Sequence, residues 1–254
     1  MRNSNPMNSS RSLRRCTAAC AGVMAFGAAA LLIGRPVRGA AADPAVNSYG
    51  HYVTNVLRNV LESKVSSPGG NLDLEIQPTA KADQGYFSDV VISGSPVQIK
   101  HLRVTELQLH ATGVRVDVPF LLANRKVNTL QSTTTLRAVV TEDDLTAMLA
   151  QGKATSTMGL KVKYIGGDQV RVAGNWQMSW FSGPIVATGR LKLVPGHKVN
   201  AEIDSLKLNG AEVPQFVKDK FMEKINPVID YQDVPFQPKF KGLKVVGNKA
   251  ILWA

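Results

Sequence analysis

The stretch that decides the fold is VRVAGNWQMSW, Val170 to Trp180. Val170, Val172, Gly174, Trp176, Met178 and Trp180 alternate with Arg171, Asn175, Gln177 and Ser179. A period of two puts one set on each face of a strand, one face apolar and the other wet. The same alternation recurs downstream, from Ile185 to Leu193 and from Val199 to Ile203. Upstream it marks Leu72, Leu74 and Ile76, then Val97 and Ile99, then Val114, Val116 and Val118. The short glycine-bearing connections GGD, SGP and PGH (166–168, 182–184, 195–197) are too short for crossovers, so they predict an antiparallel meander.

Three segments break that rhythm. Val46, Tyr49, Val53, Val56, Leu57, Val60 and Leu61 recur at intervals of three and four, which makes one helical stripe. SSPGG at 66–70 ends it, since proline cannot continue a helix and glycine lets the chain reverse. In TEDDLTAMLAQG (141–152) Thr141 stands as N-cap with Asp144 three residues on, and the acids fall where the helix dipole favours them. VPQFVKDKFMEKINP (213–227) sets Val213, Phe216, Val217, Phe221 and Ile225 as its apolar face against Lys218, Asp219 and Glu223, with Pro227 as the stop. The expected class is α+β.

The first 42 residues read as an address and not as fold. Arg2, Arg11, Arg14 and Arg15 precede an apolar run, Cys16 to Gly34, and Ala40-Ala41-Ala42 offers small residues for cleavage before Asp43. The rival is an uncleaved anchor, although alanine and glycine make the run weakly hydrophobic. A signal peptide over 1–42 leaves a single domain over 43–254. Six of the 30 basic residues and none of the 19 acidic ones lie before residue 43, so the net charge falls from +11 to +5. Most of the apparent affinity for nucleic acid falls with it. Cys16 and Cys20, the two cysteines of the chain, go too, and thiol chemistry and disulfides with them.

Site motifs are absent. His51, His101, His110 and His197 are scattered, and there is no nucleophile elbow, HExxH or phosphate-binding glycine loop. Glu142, Asp143 and Asp144 are explained by capping more simply than by a metal. Asp230 and Asp233 form the one acid pair worth weighing, but aspartate beside proline is ordinary turn chemistry. The reading is of a non-enzyme without metal or cofactor. What remains is an apolar interior under a phenylalanine-bearing helix. Periodicity does not separate a filled core from a hollow one.

VQIKHLRVTELQLHATGVRVDV (97–118), LRAVVTEDDL (136–145) and the close INPVIDYQDVPFQPKFKGLKVVGNKAILWA (225–254) resemble the LmeA-type phospholipid-binding proteins of the bacterial cell envelope. The likeness runs from about Val46 to the C-terminus. It implies a curved antiparallel sheet wrapped around a long amphipathic helix, as in tubular lipid-binding domains, with an apolar cavity and no catalysis. It also implies a periplasmic or surface location. On that basis the lining is expected from Val56, Leu57, Val60 and Leu61 on the first helix and Trp176, Met178 and Trp180 on the sheet. Val213, Phe216, Val217 and Phe221 on the last helix complete it, and the position of Phe236 after the helix stop, not the resemblance, places it over the mouth.

Seven lysines follow residue 217 against four acids, so this end carries +3. Lys218, Lys220, Lys224, Lys239, Lys241 and Lys244 are the expected contacts to an anionic headgroup or membrane surface. The expected protein is an exported monomer that binds phospholipid, touches membranes peripherally and ignores nucleic acid. Two rivals remain from the sequence: an envelope scaffold that binds protein through a sheet edge or apolar patch, and a hydrolase built on Asp230 and Asp233.

Overall fold

In a computed structural model, residues 45–254 are described except 100, 154, 179–180, 195–197 and 231–233, and 177, 178 and 181 are described by their backbone alone. The signal-peptide reading of 1–42 and cleavage before Asp43 lie outside the described residues. Residues 42–254 form one compact unit that contains the whole described core.

The chain opens with α1 (Ser48–Lys64), capped by Asn47, whose Oδ1 accepts from the Gly50 amide at 2.7 Å. Val53, Val56, Leu57, Val60 and Leu61 are buried along it, each adding about 1.5–3 kcal/mol relative to exposure. Tyr49 belongs to the same stripe by spacing, yet it is 51 % exposed and borders an open groove. Strands β1 (Val65–Ser66), β2 (Asn71–Pro78), β3 (Tyr86–Ser95), β4 (Val97–Ile99), β5 (Leu102–Val104) and β6 (Glu106–Val116) follow. A 3-10 turn, Ala82–Gln84, sits between β2 and β3 and packs on α1. Gly85 ends that turn at φ 86°, and a Cβ there would stand 2.2 Å from the Val116 carbonyl oxygen, so only glycine fits.

Next comes a short helix that alternation concealed. Val118 continues the period of Val114 and Val116, but it begins α2 (Val118–Asn124) and not more strand. The reason is local. Asp117 accepts from the Phe120 amide at 2.9 Å, and Pro119 stands in the first turn, where its missing N–H costs nothing.

β7 (Thr129–Thr141) leads directly into α3 (Glu142–Gln151), which begins with the expected capping box of Thr141 and Asp144. The second half of the chain is β8 (Lys161–Gly166), β9 (Gln169–Met178), β10 (Phe181–Val194), β11 (Lys198–Leu208) and β12 (Ala211–Glu212). Then come α4 (Gln215–Ile225), β13 (Ile229–Asp230) and the closing hairpin β14 (Gly242–Val246) and β15 (Lys249–Trp253).

Every pairing among the described strands is antiparallel, but the strands do not form one meander. Three sheets form among the described residues: β1-β4-β5, then β14-β15-β7-β6-β3-β2, then β12-β11-β10-β9-β8 with β13 beside β11. The C-terminal hairpin joins the first half by pairing β15 with β7, a partner more than a hundred residues earlier. Local alternation holds no information on such a pairing. Both six-stranded sheets are open, and α1 packs on β2, β1, the 3-10 turn and α2 rather than inside a sheet closed around it. The class is therefore α+β with open antiparallel sheets.

Helix α3 touches β5, β7 and β8, so it links the two large sheets. Its buried Asp144 Oδ2 accepts from Thr105 Oγ1 at 2.6 Å, Thr141 Oγ1 at 2.8 Å and the Thr141 amide at 2.9 Å. Glu142 reaches β8, accepting from the Tyr164 amide at 2.8 Å and from Lys163 Nζ at 2.5 Å. Burial pushes the Glu142 carboxyl up, but the bonds from Lys163 and Tyr164 outweigh it and hold it below the usual carboxylate range. Burial, with Asp144 and Glu142 adding, pushes the Tyr164 hydroxyl well up.

Candidate functional site: the α4 face of the second sheet

The alternation of Val170, Val172, Gly174 and Trp176 points those residues to the inner face of β9, and the register places Trp176 opposite Gly183 of β10. Trp176 is buried, and the ring of Phe221 on α4 lies against it with centroids 5.3 Å apart at 42°. Lys224, one turn on from Phe221, holds its ammonium 5.7 Å from the Trp176 ring centroid. The Trp176 Nε1–H is buried and has no hydrogen-bond partner among the described residues.

Phe221 is the single fully buried side chain of α4; Val217 and Ile225 are half-buried. Phe216 is 60 % exposed. The helix itself explains this. At about 100° per residue, Phe216 stands about 140° round the axis from Phe221, whereas Val217 and Ile225 stand only about 40° to either side. The apolar face expected from Val213, Phe216, Val217, Phe221 and Ile225 therefore does not include Phe216, and Val213 lies outside the helix. Buried Val213 belongs to the β12–α4 connection, its amide donating to the Leu206 carbonyl at 3.0 Å.

The foot of α4 is clamped to β11. Asn226 Oδ1 accepts from the Ala201 amide at 2.8 Å, and its Nδ2 donates to the Ala201 carbonyl at 3.1 Å. Beyond Pro227, Val228, Ile229 and Val234 are buried, so the proline-rich segment is packed against the core rather than looped over solvent. Phe236 is buried as well, at φ 61°, a left-handed conformation rare for an aromatic residue. Asp230 is exposed and pairs with Lys198 across β13 and β11 at 4.0 Å; Asp233 lies outside the described residues.

The expected lining thus divides. Val56, Leu57, Val60 and Leu61 are buried on α1, which lies beside β1 and β2; Trp176 and Phe221 are buried against each other, and Val213 is buried in the β12–α4 connection. The side chains of Met178 and Trp180 lie outside the described ones. Two surface grooves stand elsewhere: one of about 450 Å³ at the start of α1, and one of about 510 Å³ on the outer face of β9–β11, lined by Arg171, Pro184, Val186 and Lys207 among others.

The six lysines are not equivalent. Lys218 pairs with Glu212 at 3.5 Å and Lys220 with Glu223 at 3.0 Å. A bond from Ser205, then Lys218, holds the Glu212 carboxyl below its ordinary range. Lys224 is exposed against the Trp176 ring, and Lys239, Lys241 and Lys244 are exposed to solvent. No helix among the described residues is long and apolar enough to cross a membrane.

These features define an antiparallel α+β domain whose last helix is only partly seated on its sheet. The family model of the LmeA-like phospholipid-binding proteins matches residues 48–252, and the chain belongs to that family. No match was found among curated proteins or among solved structures.

Proposed function

We propose that the chain is an exported, non-enzymatic phospholipid-binding protein of the cell envelope, a monomer that touches membranes peripherally and carries lipid between them. The observation that supports this beyond family membership is the incomplete seating of α4. A helix with one fully buried residue and an exposed phenylalanine leaves apolar surface uncommitted, and the buried Trp176 N–H beneath it has no acceptor among the described residues. Acyl chains laid along the exposed flank of α4 would cover the first, and a lipid ester or phosphate oxygen would serve the second.

The wrapped, tubular form belongs to this reading too: loaded with lipid, the open sheets would curl about the chains, with Phe236 near the mouth. Lys239, Lys241 and Lys244 would steer the protein to anionic lipid, each contributing on the order of 1 kcal/mol within a Debye length of ~8 Å. The test is organic extraction of the purified protein and identification of what comes out. Phospholipid in stoichiometric amount supports the reading. A lipid-free protein that recovers one stoichiometric protein partner from envelope extract would favour a scaffold instead.

A further inference from the structure

Helix α1 packs beside α2, and Tyr49 in its first turn lines a groove together with Pro119 of α2 and Leu130 at the start of β7. Tyr49 and Tyr52 stack with ring centroids 6.2 Å apart, both about half exposed. Phe120 on α2 is 37 % exposed and Leu130 on β7 is 53 % exposed. Tyr49, Pro119 and Leu130 share the walls of the groove of about 450 Å³ with Arg115, Asp83 and Asp117. Tyr49 and Leu130 on the groove, Tyr52 stacked on Tyr49, and Phe120 next to Pro119 on α2 are all exposed, so this surface presents more apolar area than isolated exposed residues do.

The charges around them are basic on balance, with Arg115, Arg125, Lys126 and Lys81 against Asp83 and Asp117. Asp83 accepts from Asn47 Nδ2 at 3.0 Å, and Asp117 caps α2. Arg115 lies over the Tyr86 ring at 5.0 Å. Arg125 and Lys126, which end α2, are exposed, as is Lys81 beside the 3-10 turn. Tyrosine and phenylalanine with an apolar body, ringed by arginine and lysine, match the interfacial layer of a bilayer, where rings sit at headgroup depth and cations meet phosphate.

We propose that this end, Tyr49, Tyr52, Phe120 and Leu130 with Arg125 and Lys126, is the surface that docks on a phospholipid bilayer. It rests on the phospholipid-binding reading and adds where the protein meets the membrane that supplies its lipid. The C-terminal lysines then steer the approach at low salt, where the Debye length extends to ~30 Å, while this patch makes the contact.

The experiment is co-sedimentation of residues 43–254, which hold the whole described core, with phosphatidylcholine–phosphatidylglycerol vesicles at low and high salt. Tyr49→Ser with Tyr52→Ser, and separately Phe120→Ser with Leu130→Ser, should weaken binding roughly tenfold or more at both salts. Arg125→Gln with Lys126→Gln, which removes no apolar surface, should weaken it about fivefold per charge at low salt only. Thermal unfolding of each variant controls for folding. If correctly folded patch variants bind as the parent does, the proposal is overturned. It is equally overturned if the parent is a dimer in solution that the patch variants dissociate while their vesicle binding is unchanged. Lipid extracted from the same preparations separates the two ideas. A lipid-loaded patch variant that binds vesicles normally sinks the docking surface alone. A lipid-free parent that docks through the patch sinks the phospholipid-binding reading alone.

Discussion

Phe221 is the one residue of α4 fully buried, and it is buried on Trp176, 5.3 Å away between ring centroids. Phe216, five residues earlier, faces solvent. Phe221→Ala should therefore cost about 3–5 kcal/mol and free α4 from the sheet, while Phe216→Ala should change stability by about 0.5 kcal/mol or less. Chemical denaturation of both variants checks this. Equal losses would mean that Phe216 is as much a part of the core as Phe221.

If Phe216 serves lipid and not the core, the two variants should also part in function. Phe216→Ser should keep the parent's stability and lose bound phospholipid, measured by extraction from equal amounts of protein. Undiminished lipid in that variant would remove Phe216 from the site.

Asp144 holds Thr105 and Thr141 through one buried oxygen, tying β5–β6, β7 and α3 together. Asp144→Ala strands two hydroxyls and an amide and should destabilise by about 2–4 kcal/mol, whereas Thr141→Ala should cost only about 1 kcal/mol. A smaller loss for Asp144→Ala than for Thr141→Ala would show that the link between the sheets lies elsewhere.

Glu142 titrates below its ordinary range in the folded protein, so the unfolded chain takes up its proton first as pH falls. Its contribution is present above the usual carboxylate pKa and is lost as pH drops through the lower folded value. Glu142→Gln should be less stable than the parent at neutral pH, and the gap should close in acid. Denaturation midpoints measured from neutral to acid pH check the sign; a gap that widens in acid would contradict it.

Much of this was legible in the residues. The alternation through Val170 to Trp176 gave β9 and its inner face, and Thr141 with Asp144 gave the start of α3 to the residue. Both signals are local, so a single sequence carries them. The return of Ala250 and Leu252 to pair with Val140 and Ala138 is not local, and one meander was expected where the strands form separate sheets. Val118 misled because a valine in period with two others says strand, while the Asp117 cap and Pro119 beside it say helix, and the cap wins. The stripe of α1 was right from Val53 onward, but Tyr49 in the same phase lies exposed at the groove, because phase fixes a direction and not whether anything stands there. The exposed cluster of Tyr49, Tyr52, Phe120 and Leu130 joins three segments distant in sequence, and only the fold assembles it.

The central claim, that this domain holds phospholipid, is tested most directly by native mass spectrometry of the purified protein. Discrete added masses of phospholipid size should appear on the folded protein and vanish on denaturation, and a stripped sample should regain them on incubation with liposomes. A clean unliganded mass before and after that incubation would contradict the account.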